Sequence, residues 1–202
     1  MATNVLSPRP SFRFSGIWSR IRLGDDAATA SAVRELVRQL AGTDDRHATG
    51  REKLRREVLG AVTQAHQLGA SEVYLAEQVA DGIPVSAMLS VHRATPRISV
   101  AANTGAQAVM DAFVDGLQRT GHAEPDTERF AVGDSQVYRS VEVANGQPTK
   151  MLTVRFWVTI PGVKAVMPLT FATPFADLRE PLTVLFTAVV ATLRWSSVEV
   201  SH

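Results

Sequence analysis

The chain has 202 residues, 45% of them hydrophobic and 20% charged, a balance typical of a globular protein and not of a disordered one. It contains no cysteine, which excludes disulfide bonds, thiolate metal sites and cysteine nucleophiles. The net charge is only +1, although basic residues outnumber acidic ones 11 to 6 in the first 56 residues. The arginine-rich composition explains this excess, so nucleic acid is not an expected partner.

The N-terminal segment shows no apolar run behind a basic one, so the sequence predicts no signal peptide. The longest apolar run, residues 182–193, is shorter than the roughly 20 residues that a membrane-spanning helix needs. We therefore predict a cytoplasmic protein without a membrane span.

The first third of the chain predicts a strand followed by two helices. Residues 1–11 contain two prolines and few apolar side chains, and we expect them to be a disordered arm. Residues 12–23 alternate as a strand does. Helices are predicted over residues 26–40, opened by the Asp25-Asp26 pair, and over residues 51–68.

The middle of the chain predicts a hairpin, a third helix and a short strand. Residues 72–79 and 83–93 flank Asp81-Gly82, a pair that favours a tight hairpin turn because both positions need positive φ. Apolar spacing predicts a helix over residues 106–119, and residues 128–132 form a short strand.

The C-terminal third predicts three strands and a long helix. The strands cover residues 138–143, 151–160 and 165–172, with turns at Asn145-Gly146 and Pro161-Gly162, and the helix runs from Thr173-Pro174 to Trp195. Adjacent strands joined by tight turns pair antiparallel. We therefore predict a single α+β domain over residues 12–202, a twisted antiparallel sheet with helices on both faces.

The last predicted helix is apolar nearly all round, and no charge lies between Glu180 and Arg194. A helix of this kind is usually buried on more than one side. Either the two N-terminal helices cover its second face or another chain does. The candidate partner-binding residues are Val184, Ala188, Val190 and Ala191, which lie off its main apolar stripe, together with Trp18.

Residues that carry chemistry form no recognisable motif. The five histidines are scattered, and Asp111 and Asp115 share a helix face without a further ligand nearby. Residues 101–105 are the nearest approach to an anion cradle, but an ordinary loop with Thr104 as helix cap explains them. We predict no catalytic residue, no metal ligand and no cofactor.

Arginines alternate with aromatic residues near the N-terminus, in the set Arg9, Phe12, Arg13, Phe14, Trp18, Arg20 and Arg22. Such a set can bind single-stranded nucleic acid by stacking and phosphate contact. An amphipathic strand with an exposed arginine face explains the same alternation, and we favour it.

Residues 169–174 (LTFATP) and 182–195 (LTVLFTAVVATLRW) resemble the C-terminal end of PsbP/Mog-like proteins, in particular the uncharacterised actinobacterial members. The resemblance is strongest over residues 151–195. It implies an α/β/α sandwich, a non-enzymatic role in binding other proteins, and a link to a specialised secretion or cell-envelope system. It carries over no partner-binding residue, because no binding motif is matched.

The sequence therefore favours a protein-interaction module, an adaptor or chaperone for another protein, with a homodimer as a further form of association. A carrier of a small molecule or lipid, with a cavity between sheet and helices, is the alternative. An enzyme with a dispersed site is a third hypothesis. An exposed apolar patch favours the first, an enclosed cavity the second and converging perturbed ionisable groups the third.

Overall fold

A computed structural model describes residues 7–41, 48–80, 82–121, 126–144 and 150–198. The strands are β1 (Ser7–Ser11), β2 (Ile17–Arg22), β3 (Ala70–Gln78), β4 (Ala87–His92), β5 (Thr127–Val132), β6 (Ser135–Ala144), β7 (Met151–Thr159), β8 (Val166–Thr173) and β9 (Arg194–Val198). The helices are α1 (Asp26–Ala41), α2 (Ala48–Gln67), α3 (Ala106–Arg119) and α4 (Arg179–Ala191). A 3₁₀ turn, Ala176–Leu178, precedes α4.

Seven of the strands form one antiparallel sheet in the order β2-β3-β4-β8-β7-β6-β5. The hairpins at each side meet where β4 pairs with β8, with Met88 opposite Ala172. Every neighbouring pair in this sheet is antiparallel, as tight connections between consecutive strands require. The predicted α+β class is confirmed.

The helices lie on both faces of the sheet. Alternation along a strand sends successive side chains to opposite faces, so each core cluster marks one face. Leu75 and Met88 pack with α1 and α2, and Trp157, on the same face, packs with α3. Phe171 on the other face stacks on Phe186 of α4 at 4.4 Å between ring centroids. Three helices therefore cover one face and α4 covers the other.

The N-terminal arm is ordered where the structure describes it. Residues 7–11 form β1, which pairs antiparallel with β9 through Pro10 opposite Trp195, so the prediction of a disordered arm is wrong for these residues. Residues 1–6 lie outside the described part of the chain. The arm gains order because its partner strand supplies backbone hydrogen bonds from a segment more than 180 residues away.

The predicted start and end of the C-terminal helix are both wrong. α4 begins at Arg179, after the 3₁₀ turn, and ends at Ala191, where Thr192 takes the C-cap position. Thr173 does not cap α4; its hydroxyl donates to the Ser86 carbonyl and accepts from the Phe175 amide. The segment that contains Trp195 is a strand, because pairing with β1 replaces helix hydrogen bonds.

The predicted strand at residues 12–23 is shorter than expected. β2 begins only at Ile17, since Gly16 has a φ of +99° and bends the chain before it. The Asp25 cap is confirmed, because its carboxylate accepts from the Ala27 and Ala28 amides.

The turns show which other local predictions hold. Gly162 has a φ of +73° and follows Pro161, as the predicted turn requires. Thr104 does not cap α3, because the N-cap residue is Gly105. The Thr104 hydroxyl instead donates a hydrogen bond to the Ala101 carbonyl. Asn145, Gly146 and Asp81 lie outside the described residues.

Candidate functional site

The inner face of α4 is part of the main core. Leu182, Phe186, Val189 and Val190 are buried against β7 and β8. Val190 is fully buried, so this predicted partner-binding residue contacts the sheet and not the surface. The apolar residues of α4 therefore divide into two sets with different environments.

A polar link fixes the rotation of α4 about its axis. Arg139 on β6 donates to the Thr187 hydroxyl at 3.2 Å and pairs with Glu128 on β5 at 2.9 Å. The Arg139 side chain is only 15% exposed, so this link is largely shielded from solvent. Turning the helix would cost the Arg139–Thr187 hydrogen bond, while the Arg139–Glu128 ion pair would remain.

The outer face of α4 carries three of the predicted residues, Val184, Ala188 and Ala191, which are all exposed. Their spacing of four and three residues puts them on one side of the helix. Pro181 extends the row by one turn and is also exposed. We call these four residues the α4 stripe; it is about 15 Å long at 1.5 Å per residue. Val184, at 69% exposure, is its most accessible large side chain.

The two N-terminal helices do not cover the α4 stripe. They pack with β2, β3 and β4 on the opposite face of the sheet. The described parts of α1 and α2 therefore cannot account for the second apolar face of α4. Two further apolar side chains lie exposed just before the helix, Phe175 and Leu178, each about 40% exposed.

Trp18, the fifth predicted partner-binding residue, is not a free surface residue. Its ring stacks on Phe14 at 4.7 Å and meets the edge of Phe171 at 6.4 Å between centroids. Phe14 also lies 5.1 Å from the ring of Tyr74. These contacts hold residues 12–18 against the sheet, so the aromatic side chains of the arm serve packing within the chain.

A cleft of about 620 Å³ lies at the end of the sheet beside β1. Its lining comes from β1, β2, β3, β4, β8 and the adjoining loops, and no described helix contributes to it. The lining residues are Pro8, Arg9, Pro10, Arg22, Leu23, Ser71, Glu72, Val91, His92, Arg93, Ala94, Ile160, Val163 and Met167. We call it the β1 cleft. The alternative hypothesis placed a cavity between sheet and helices, and this one lies elsewhere.

The carboxylate in the β1 cleft is already neutralised. Arg20 donates to both oxygens of Glu72, at 2.9 and 2.5 Å, and the Tyr74 hydroxyl donates to Glu72 at 3.3 Å. The hydrogen bond to Glu72 raises the pKa of Arg20, while burial and then the Glu72 charge raise the pKa of Tyr74. Both neighbours therefore stay protonated at neutral pH and donate to Glu72.

His92 at the edge of the β1 cleft is neutral in the folded protein near pH 7. Burial lowers the pKa of His92, and its hydrogen bond to the Leu68 carbonyl only partly opposes this. In the neutral ring Nδ1 must carry the proton, since a carbonyl oxygen can only accept. Nε2 is then an acceptor.

We expect His92 to make the protein less stable as pH falls. Its folded pKa lies below the unfolded value of about 6.5, so its contribution is present above that pH and is lost below it. The urea midpoint should fall between about pH 7 and 5. His92→Gln should lose this part of the slope, whereas His66→Gln should keep it; equal slopes in all three proteins would contradict the assignment.

Asp111, one of the two acidic residues considered for a metal site, has another role. Asp111 pairs with Arg129 at 2.7 Å and accepts from Gln107 at 3.1 Å. Across the described ranges, no group of three histidines or carboxylates comes together as metal ligands would. Nor does any described helix combine the length and hydrophobicity needed to cross a bilayer. The cytoplasmic location stays a prediction.

No protein-family model and no curated protein matches the sequence. Solved structures similar to the chain include LpqN, involved in cell envelope biogenesis of Mycobacterium tuberculosis, with 10% identity and a TM-score of 0.45 over 95% of this chain and 86% of that one. Another is PA94 from Pseudomonas aeruginosa, with 12% identity and a TM-score of 0.33 over 57% of this chain and 76% of that one. Neither likeness carries an inference about this chain, and the PsbP/Mog-like resemblance stays a prediction.

Sequence reasoning missed the β1 cleft. Its arginines come from three separate segments of the chain, at Arg9, Arg22 and Arg93, and no spacing in the sequence connects them. The one available signal was the arginine-rich N-terminal part, which we interpreted as a solvent-facing strand. The α4 stripe, in contrast, follows directly from the missing charges between Glu180 and Arg194.

Proposed function

We propose that the chain is a non-enzymatic protein-interaction module, an adaptor or chaperone-like protein, and that the α4 stripe is its contact surface. One observation carries the proposal: the solvent-facing side of α4 is apolar from Pro181 through Val184 and Ala188 to Ala191. Single exposed apolar residues are common on protein surfaces, but a contiguous row on one helix face is the kind of patch that partners cover.

The shape of the α4 stripe favours a partner with a groove that binds a helix. Ala188 and Ala191 are small, so another backbone can approach the last two turns of α4 closely. Val184 stands out above them and suits an apolar hole in the partner. A helix laid into an apolar groove is a recurrent mode of protein recognition, with contacts at three- and four-residue spacing.

A second copy of the chain is the less favoured occupant. Two stripes about 15 Å long and one helix wide cannot by themselves bury the roughly 800 Å² per partner of a standard interface. A groove that wraps around the helix, and also contacts Phe175 and Leu178, buries more area around the same residues. We therefore propose a different protein, with an apolar groove, as the partner.

We expect Val184→Glu to abolish partner binding while the fold survives. The new carboxylate would be desolvated in the interface, whereas at 69% exposure it remains in water in the free protein. The affinity should fall by about a hundredfold or more, which corresponds to roughly 3 kcal/mol. Tagged wild-type and variant proteins, mixed with host extract, would be compared by the amount of the same partner retained.

Leu68→Glu is the matched control, because Leu68 is 70% exposed and directly follows α2, which packs on the opposite face of the sheet. It should retain the partner fully. Loss of the partner in both variants, or in neither, would contradict the proposed surface. Size-exclusion chromatography tests whether the partner is instead a second copy of the chain. If the wild type elutes as a dimer and Val184→Glu as a monomer, the α4 stripe is a homodimer interface and the proposal of a different partner protein is wrong.

A further inference from the structure

The β1 cleft combines an apolar floor with a cationic rim. Val91, Ile160 and Met167 form the floor and are buried, each less than 10% exposed. Arg9, Arg22 and Arg93 stand at the rim, and all three are exposed. Its volume of about 620 Å³ falls within the range of small-molecule sites, roughly 300–1,000 Å³.

The three rim arginines have no carboxylate partner among the described residues, unlike most arginines elsewhere in the sheet. Arg20, Arg129 and Arg139 each pair with an acidic side chain. Glu72 is the only acidic residue in the cleft lining, and Arg20 already binds both of its oxygens. The rim therefore presents guanidinium groups with free donors that are arranged around apolar surface, and their charge is uncompensated.

We propose that the β1 cleft binds an amphipathic carboxylate, with its headgroup on Arg22 and Arg93 and its apolar chain on the floor formed by Val91, Ile160 and Met167. Guanidinium groups match the planar, two-oxygen geometry of a carboxylate. This site is separate from the α4 stripe, and neither proposal depends on the other.

The arm gives the ligand a third wall. Pro8 and Pro10 of β1 lie on either side of Arg9 in the sequence and line the cleft together with Leu23 and Met167. A bound chain would thus contact both β1 and the sheet. Because β1 is held by β9, the ligand would connect this strand pair to the seven-stranded sheet.

Decanoate is the probe that tests the site, used below its aggregation concentration with the full-length protein. Isothermal titration should show saturable binding of decanoate at one site, little binding of decanol and none of acetate. Decanol lacks the charge and acetate lacks the chain, so each removes one half of the proposed recognition. The double variant Arg22→Gln/Arg93→Gln should weaken decanoate binding by about tenfold or more, the effect of roughly 1.4 kcal/mol.

Arg97→Gln is the matched control, because Arg97 is exposed and does not line the cleft. It should bind decanoate as the wild type does. Equal weakening by Arg97→Gln, equal binding of decanol and decanoate, or no decanoate binding would each overturn the proposal. Binding of a short single-stranded oligonucleotide through the same arginines, with no decanoate binding, would overturn it in favour of nucleic acid. Val184→Glu should leave decanoate binding unchanged.

Discussion

Phe186→Ala is expected to lower the free energy of unfolding by about 3–5 kcal/mol. Phe186 is fully buried on the inner face of α4 and stacks on Phe171, with the ring planes only 13° apart. Phe171 in turn meets the edge of Phe156 at 5.8 Å. Truncation would leave a cavity between helix and sheet and remove these aromatic contacts, which add to the cost of lost burial. Urea denaturation measures the change.

Val184→Ala is the control for Phe186→Ala, since it shortens an exposed side chain on the same helix. It should change the free energy of unfolding by less than about 0.5 kcal/mol, as surface substitutions usually do. The pair separates the two faces of α4 by stability alone. A loss above about 2 kcal/mol at Val184, or below that at Phe186, would mean that the helix is rotated relative to the sheet.

Gly16→Ala is expected to cost about 3 kcal/mol or more, combining backbone strain with a steric clash. Gly16 has a φ of +99°, and a Cβ there would stand 2.2 Å from the Gln78 carbonyl oxygen and 2.9 Å from the Ala80 amide nitrogen. Both are backbone atoms, so neither can turn away as a flexible side chain would. The chain would have to separate from β3, which would also pull Phe14 and Trp18 off the sheet.

Gly24→Ala measures the cost of backbone strain without a steric clash, so the difference from Gly16→Ala gives the cost of the clash. Gly24 also has a positive φ, +130°, but a Cβ there would meet no atom within 4 Å. It should therefore show the backbone cost alone, about 1–3 kcal/mol. Equal losses of stability at Gly16 and Gly24 would show that β2 and β3 do not approach each other closely at this bend.

The local features of the fold could be predicted from sequence because their signals are local. Val33, Leu36 and Val37 repeat at helical spacing and are buried in α1, and Asp25 caps that helix. The β5–β8 strands follow from alternation and turns. In each case the residues that determine the structure lie within a few positions of one another.

The pairing of the chain ends could not be predicted in the same way. β1 contains Pro8 and Pro10, which weaken a strand signal, and its partner lies at the other end of the chain. Leu193 continues the spacing of α4 and so predicted a longer helix, but the helix stops at Ala191 and β9 follows. Long-range pairing overrides local propensity at both ends, and the β1 cleft exists only because of that pairing.

The candidate site was predicted in part. The sequence identified an over-apolar helix, and three of its four proposed residues lie together on the α4 stripe. Val190 is buried because its position on the helix faces β7 and β8. It is next to the exposed Ala191 in the sequence, and the apolar periodicity did not separate these two neighbours. Trp18 packs on Phe14, whose position depends on the Gly16 bend.

The most direct test is photocrosslinking from the α4 stripe. A photoreactive phenylalanine analogue placed at Val184, in protein expressed in its own host, should give one discrete adduct with another protein after irradiation. The same analogue at Leu68, equally exposed on the opposite face of the sheet, should give none. A single protein adduct at Val184 alone is the predicted result. No adduct at Val184, or the same set of adducts at both positions, would contradict the assignment of the α4 stripe as the partner-binding surface.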